Sequence, residues 1–293
     1  MNSISTENGY RFEKYTGNDT CVILPDRVVG KPLTTIGTKA FLSCRSVERL
    51  VLPDTLERVE DWAFAHMKNL EEIVFPVRDI LFGKKVFLGC IALKRIILTG
   101  AEDQYEGIPY FLASLATMMD ETALCPELAG SREGQWTWLK EYDRLLEQFL
   151  ARPDTYGFEP AFIGWFNVED VDDQQEGYVR EQKRKKAGLA LQRLLYPAGM
   201  EEDMEAKLQD YLLGKTDVEI PALILKLFED SDNGYGGNVS YFKLWQKIGG
   251  FGIYSPEYLL EHLPEADPEV RAFLMESRLN MEGNNNFFDT LEL

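Results

Sequence analysis

Apolar residues in the first third of the chain recur at a fixed spacing. Phe41, Phe64 and Phe87 lie 23 residues apart. Five further series keep the same register: Ala40, Ala63 and Val86; Cys44, Met67 and Cys90; Val47, Leu70 and Leu93; Leu50, Ile73 and Ile96; and Leu52, Phe75 and Leu98. A fixed period of this length is typical of a solenoid, because a single repeat cannot bury its apolar face and must stack on the next one.

The pattern inside one repeat predicts its local structure. Residues 47–52 alternate between apolar and polar positions, which predicts a strand with Leu50 and Leu52 facing the interior. Pro53 ends this strand, because proline has no N–H to donate to a ladder. The rest of the repeat is predicted to be a second extended segment over residues 56–59 and a short helical turn over residues 61–67.

Short motifs in the first two repeats resemble a known family. The first repeat contains Tyr15-Thr16-Gly17-Asn18-Asp19-Thr20, Ile23-Leu24-Pro25, Gly30-Lys31-Pro32-Leu33, Ile36-Gly37 and Ala40-Phe41. The second contains Leu50-Val51-Leu52-Pro53-Asp54-Thr55-Leu56, Val59 and Ala63-Phe64. These motifs resemble the BspA-type leucine-rich repeats over residues of about 10–99, which implies a β-solenoid fold. One departure from the pattern is Glu60, which stands between Gly37 and Gly83 in the same register.

The two ends of the solenoid need covers, since stacked repeats leave apolar surface at each end. Residues 10–20 are the expected N-terminal cap. The first repeat is five residues longer than the others around residues 26–30, which predicts a hairpin-like loop. At the other end, a helix beginning near Gln104 follows closely. Its apolar residues Ile108, Phe111, Leu112 and Leu115 are predicted to cap the solenoid beneath Phe87, Leu93 and Ile96.

The remainder of the chain has helical spacing of its apolar residues. Helices are predicted over residues 104–120, 136–151, 178–196, 201–213, 218–229, 240–248, 256–262 and 268–279. Residues 241–251 and 267–276 resemble degenerate ankyrin-type helix pairs. The predicted fold class is therefore α+β in two domains: a short leucine-rich-repeat β-solenoid (residues 1–100) followed by an all-α helical-repeat domain (residues 101–293).

The charge distribution supports this division. Residues 1–100 contain 14 Lys and Arg against 12 Asp and Glu, a net charge of about +2, whereas residues 101–293 contain 17 against 37, a net charge of −20. The acidic balance argues against nucleic acid and anionic membranes as partners. No apolar run is long enough for membrane insertion. The first residues do not resemble a signal peptide, so a full-length chain is expected in the cytoplasm, and a chain whose signal was removed at the cell surface.

Candidate chemistry is sparse. His66 and His262 have no nucleophile motif around them, and the four cysteines form no metal-ligand spacing. Cys44 and Cys90 share a repeat position with Met67, which indicates packing rather than chemistry. A glycine-rich stretch and a calcium-loop-like stretch within residues 230–237 lack the required spacing. The basic run at residues 180–186 is expected to be a solvated surface. No cofactor and no metal are predicted.

Two outward-facing columns of the strands are the candidate site. One consists of Arg49, Glu72 and Arg95, and the other of Val51, Val74 and Ile97, with Ile23 at its start. An exposed strand face normally has polar residues. The apolar column has two explanations: β-propensity with shielding by long neighbours, or a cover provided by the second domain or a partner.

The sequence therefore predicts a non-enzymatic module that binds another protein, of unidentified nature and with an undetermined oligomeric state. The BspA-type resemblance implies one alternative, a cell-surface adhesin. A second alternative is an enzyme with a cleft between its domains, which a cluster of perturbed carboxylates would reveal.

Overall fold

The computed structural model describes most of the chain. The described residues are 2–5, 9–101, 104–119, 123–158, 168–214, 222, 239–264 and 266–289. Packing divides the chain into two compact units. The first comprises Met1–Phe149 with Ala198–Met200, and the second comprises Leu150–Pro197 with Glu201–Leu293.

The first unit begins with a β-solenoid of about four turns. Its strands are, in chain order, β1 (Asn2–Ser5), β2 (Tyr10–Lys14), β3 (Cys21–Ile23), β4 (Arg27–Val28), β5 (Lys31–Ile36), β6 (Arg49–Val51), β7 (Arg58–Val59), β8 (Glu72–Pro76), β9 (Leu81–Phe82) and β10 (Arg95–Thr99). A four-stranded sheet has the order β10-β8-β6-β3, and a second sheet has the order β1-β2-β5-β7-β9 with β4 attached to β5. Neighbouring strands are parallel, except that β1 with β2 and β4 with β5 are antiparallel.

Strand register confirms the 23-residue repeat. Leu50, Ile73 and Ile96 are direct neighbours across β6, β8 and β10, and all three are buried. Cys21 pairs with Arg49, which lies 28 residues later, so the first repeat is five residues longer. The additional residues form β4 and its hairpin to β5, as predicted.

Turns form the third side of the solenoid, whereas a short helical turn was predicted. Each repeat places residues in the left-handed region at two positions: Lys39, Trp62 and Lys85 in one series, and Ser43, His66 and Gly89 in the other. A left-handed residue interrupts the run of helical dihedral angles, so residues 61–67 fold as consecutive turns. Backbone hydrogen bonds join equivalent turns, for example from Phe41 N–H to the Ala63 carbonyl at 2.7 Å.

An aromatic column runs through the interior behind these turns. Phe41, Phe64 and Phe87 are almost completely buried, and their ring centroids lie 5.9 and 5.5 Å apart along the column. Phe12 of β2 extends the column, since its ring stacks on Phe41 at 5.1 Å. Strand β1 runs antiparallel beyond β2 and ends the parallel stacking at this side.

A helix lies against the last strand at the other end, as predicted. Helix α1 (Ile108–Ser114) packs on β10 and continues as a π-helical turn over Leu115–Met119. Its predicted capping residues Ile108, Phe111, Leu112 and Leu115 are all buried. Helices α2 (Pro126–Gly130) and α3 (Gly134–Ala151) follow, and all but the end of α3 belongs to the same compact unit as the repeats. The division of the chain into domains 1–100 and 101–293 stays a prediction.

Helix α3 completes the cover on α1. The Phe111 ring stacks on Tyr142 with centroids 4.6 Å apart, and the hydroxyl groups of Ser114 and Tyr142 lie 3.0 Å apart. Trp138 is buried and its indole N–H donates to the Leu124 carbonyl at 2.9 Å, whereas Trp136 is exposed. Two residues apart on one helix, these tryptophans therefore point to different sides of it.

The second unit is helical, as expected. Its helices are α4 (Val168–Leu195), α5 (Glu202–Leu213), α6 (Val239–Lys247), α7 (Pro256–His262) and α8 (Pro268–Asp289). Helix α4 packs on α5 and α6, and α8 packs on α6 and α7. Apart from residue 222, the helix predicted over residues 218–229 lies outside the described residues, and the resemblance to ankyrin-type pairs stays a prediction.

The basic run of α4 is less solvated than expected. Lys186 is only 2% exposed, and its ammonium donates to the Asp154 carboxylate at 2.6 Å and to the Arg152 carbonyl. A buried ammonium needs such partners, because its charge is costly to remove from water. This part of the run therefore holds α4 to the chain segment before it.

Candidate protein-docking face

The outward surface of the four-stranded sheet contains all six residues of the candidate site. Side chains alternate along each strand, so Leu50 points inward while Arg49 and Val51 point outward. Pairing places Arg49, Glu72 and Arg95 in one row, and Val51, Val74 and Ile97 in the next. The two predicted columns therefore lie side by side on one face.

The charged column is a continuous ion-pair ladder. Arg49 Nε donates to Glu72 Oε1 at 2.6 Å, and Arg95 Nη2 donates to Glu72 Oε2 at 2.7 Å. Glu72 is largely covered by its two neighbours, with a side-chain exposure of 12% against 45% for Arg49 and 49% for Arg95. The hydrogen bond from the guanidinium to Glu72 raises the pKa of Arg49. Two cations against one carboxylate leave the ladder with a net positive charge.

The apolar column is exposed unevenly, contrary to the simple picture of an open strip. Val74 is only 3% exposed, Val51 and Ile97 are half-buried, and Ile23 at the free edge strand β3 is 65% exposed. Val74 is on strand β8, beside which helix α2 packs. The column is therefore closed at Val74, and its exposed end is at Ile23.

Helix α2 packs beside one strand of this sheet, β8. A Cβ atom at Gly130 of this helix would lie 2.4 Å from a methyl group of Val77 and 3.2 Å from Leu98 Cδ1. Glycine is therefore required for this close approach. The β8 and β10 side of the sheet has a helix of the same unit beside it, whereas β3 is the edge strand.

Reactive groups are few in the described part of the chain. All four cysteines are free thiols, and burial raises the pKa of the Cys44 thiol, which favours an unreactive state. His262 stacks on Tyr258 at the end of α7, and its Nδ1 lies 2.9 Å from the Tyr258 carbonyl. Within these residues no group of three or more potential metal ligands occurs. The glycine-rich and calcium-loop-like stretches lie outside them.

No helix in the described ranges combines the length and the apolar character needed to cross a bilayer.

The second sheet contains an ion-pair network that the sequence pattern did not reveal. Arg11 of β2 donates from Nε and Nη2 to Glu60 at 3.0 and 2.6 Å, and it also contacts Glu13. The only available signal was Glu60, the residue that replaces glycine in its repeat.

Comparison with known proteins agrees with the solenoid. Residues 18–109 match the model of the BspA type leucine rich repeat region, in six copies. This part of the chain is a BspA-type leucine-rich repeat region. A solved structure, the leucine rich repeat protein TpLRR of T. pallidum, is 26% identical and aligns with 34% of this chain and 62% of its own, with a TM-score of 0.27. The comparison with curated proteins found no match.

Proposed function

We propose that the protein binds another protein through the outward face of the four-stranded sheet. The observation that supports this most directly is the pairing of an apolar row with a charged row on adjacent register positions. Ile23 and Val51 offer apolar contact, and Arg49 and Arg95 offer guanidinium groups. Interfaces commonly combine an apolar centre with arginine side chains.

The ladder suggests the chemistry of the partner. Each guanidinium has five N–H donors, and Arg49 and Arg95 use only part of them on Glu72. Both arginines remain about half exposed. The complementary surface would place an apolar side chain on Ile23 and a carboxylate next to Arg49 or Arg95. A carboxylate can accept two parallel N–H hydrogen bonds from one guanidinium group, and this bidentate contact gives orientation as well as attraction.

Site-specific crosslinking tests this proposal. A photoreactive amino acid at Ile23 should crosslink to the partner, whereas the same group at Val29 should not. Val29 is a matched control because it is also apolar and exposed, at 88%, but lies on the β4–β5 hairpin. The partner is then identified by mass spectrometry and purified.

Affinity measurements with the purified partner complete the test. Ile23→Ser and the pair Arg49→Gln with Arg95→Gln should each weaken binding about tenfold. Val29→Ser and Arg58→Gln, an exposed arginine on the other sheet, should leave the affinity unchanged. Unchanged binding by the sheet variants, at unchanged melting temperature, would refute this docking face. Val74 is not used, because a substitution at a buried position tests folding.

A further inference from the structure

The turn side of the solenoid has a charge unlike that of the chain as a whole. The three stacked turn segments, residues 37–46, 60–69 and 83–92, contain five cations: Lys39, Arg45, Lys68, Lys84 and Lys85. They contain two acids, Glu60 and Asp61, and Glu60 is engaged by Arg11 of the second sheet. The whole chain, by contrast, has a net charge of −18.

These cations are held close together by the stacking of the repeats. Lys39 N–H donates to the Asp61 carbonyl at 3.1 Å, and Trp62 N–H donates to the Lys84 carbonyl at 3.0 Å. Asn69 Nδ2 donates to the Arg45 carbonyl at 2.8 Å, which places residue 68 beside the preceding turn. Equivalent positions therefore form columns along this side.

Ion pairing distinguishes this side from the four-stranded sheet. On the strands of that sheet, both cations, Arg49 and Arg95, pair with Glu72. Among the described residues, none of the five turn-side cations forms an ion pair. Unpaired charges of one sign on one surface produce a field that attracts and orients a ligand of opposite charge.

Apolar and aromatic side chains belong to the same turn segments as the cations. Lys85 Nζ lies 5.4 Å from the centroid of the half-buried Trp62 ring, a cation–π arrangement. Leu88 and Ile91 of the last turn segment are 42% and 79% exposed. A surface with these features fits a segment that has both carboxylates and an apolar residue.

Backbone strain provides an independent argument. Lys39, Trp62 and Lys85 have φ angles of 58°, 61° and 55°, in the left-handed region that glycine and asparagine tolerate best. The other left-handed position has glycine in one repeat, Gly89 with φ 73°, and Ser43 and His66 with φ 59° in the other two. The fold alone favours small residues at residues 39, 62 and 85, yet this column contains lysine, tryptophan and lysine. Strain of this kind clusters at functional sites.

We propose that the turn side of the solenoid is a second binding surface, which takes an acidic segment of another protein. Lys39 and Lys85 contact its carboxylates, and Trp62 with Leu88 and Ile91 contacts its apolar residue. An acidic peptide is favoured over nucleic acid, because its carboxylates can stand beside an aliphatic or aromatic residue that fits the exposed Leu88 and Ile91. This surface is separate from the sheet face, so either can fail without the other.

The probe is a fluorescein-labelled peptide of about twelve residues, mostly glutamate with one central phenylalanine, and its binding to the full chain is followed by fluorescence anisotropy. Lys39→Asn with Lys85→Asn should weaken binding about tenfold. The same variant should keep or raise the melting temperature, because asparagine tolerates the left-handed conformation. A purely structural role of these lysines predicts the opposite result.

Three controls define the outcome. Lys31→Gln with Arg58→Gln, which removes two exposed cations of the second sheet, should leave affinity unchanged. A peptide with glutamine for glutamate should bind about tenfold more weakly, and about 0.5 M salt should weaken the glutamate peptide similarly. Lys68→Gln with Lys84→Gln, at positions of ordinary backbone, provides a second variant of the same surface.

Four results would overturn the proposal. The first is wild-type affinity of both turn-side variants for the glutamate peptide, and the second is equal affinity of the wild type for the glutamine and glutamate peptides. The third is tighter binding of a single-stranded oligonucleotide of similar length than of the glutamate peptide. The fourth is salt-sensitive self-association that the turn-side variants abolish, with no binding of the peptide. The last would assign the surface to the acidic region of a second copy.

Discussion

At the scale of single residues, the contacts of Glu60 explain why glutamate stands where the neighbouring repeats have glycine. Its carboxylate receives hydrogen bonds from Arg11 and from the Thr38 N–H and hydroxyl groups, at 2.6 to 3.0 Å. Gly37, in the equivalent position one repeat earlier, has no space for a side chain, since a Cβ atom there would lie 2.8 Å from the Phe12 carbonyl oxygen. One repeat therefore needs glycine where the next needs glutamate.

Glu60→Gln should reveal a pH-dependent contribution to stability. The hydrogen bond from Arg11, followed by those from Thr38, lowers the pKa of Glu60 from 4.5 to about 2. A lowered pKa stabilises the folded state above the unfolded value, near 4.5, and the contribution is lost as the pH falls toward 2. The full shift corresponds to about 3 kcal/mol, and partial exposure of the pair reduces it to about 1–2 kcal/mol.

Urea unfolding at pH values of about 6 and 3 checks this prediction. The difference in free energy of unfolding between wild type and Glu60→Gln should fall to about half at the lower pH. Glu57→Gln, next to the same sheet and exposed, is the matched control and should show no such change. An equal difference at both pH values would contradict the assignment of this carboxylate as the titrating group.

At the scale of elements, the helix after the last repeat is part of the solenoid's structure. Helix α1 buries its apolar residues against β10, and α3 then stacks Tyr142 on Phe111. Strand β10 is the last of its sheet, so its repeat has no further repeat to stack on. Burial of α1 supplies apolar contacts that another repeat would otherwise provide.

Truncation tests the role of α1 as a cap. A fragment of residues 1–100 should aggregate or unfold without a cooperative transition, because the last repeat loses its cover. A fragment of residues 1–152, which keeps α1 to α3, should be soluble and should unfold cooperatively, as followed by circular dichroism on heating. Cooperative unfolding of the shorter fragment at a similar temperature would show that the helices are dispensable for the solenoid.

The spacing of apolar residues was sufficient to predict the elements that bury them. The 23-residue period predicted the register of Leu50, Ile73 and Ile96 and the column of Phe41, Phe64 and Phe87, because stacking requires equivalent positions to be buried together. It could not predict the left-handed turns, since lysine and tryptophan at residues 39 and 62 are not typical of that conformation. It also could not predict that Val74 is buried while Ile23 is exposed, because exposure depends on which elements pack beside each strand, such as α2 beside β8.

At the scale of the whole molecule, charge is distributed unequally between the two compact units. The second unit contains 14 Lys and Arg against 27 Asp and Glu, a net charge of −13, and the first unit has the remaining −5. Like charges repel one another and destabilise a compact state, and dissolved salt screens this repulsion. The stability of the second unit should therefore depend more strongly on ionic strength than that of the first.

Differential scanning calorimetry of the full chain in about 20 mM and about 500 mM NaCl tests this dependence. The transition of the second unit should move to higher temperature in the higher salt, because screening weakens repulsion among its carboxylates, and that of the first unit should move less. Phe64→Ala identifies the transition of the first unit: Phe64 is fully buried between Phe41 and Phe87, so truncation should cost about 3–5 kcal/mol and lower that transition alone. Glu57→Ala, at an exposed position of the same repeat, is the control for the substitution itself and should shift neither transition appreciably. Equal salt shifts of both transitions, or a decrease for the second unit, would mean that local ion pairs such as Lys186 with Asp154 outweigh the net repulsion.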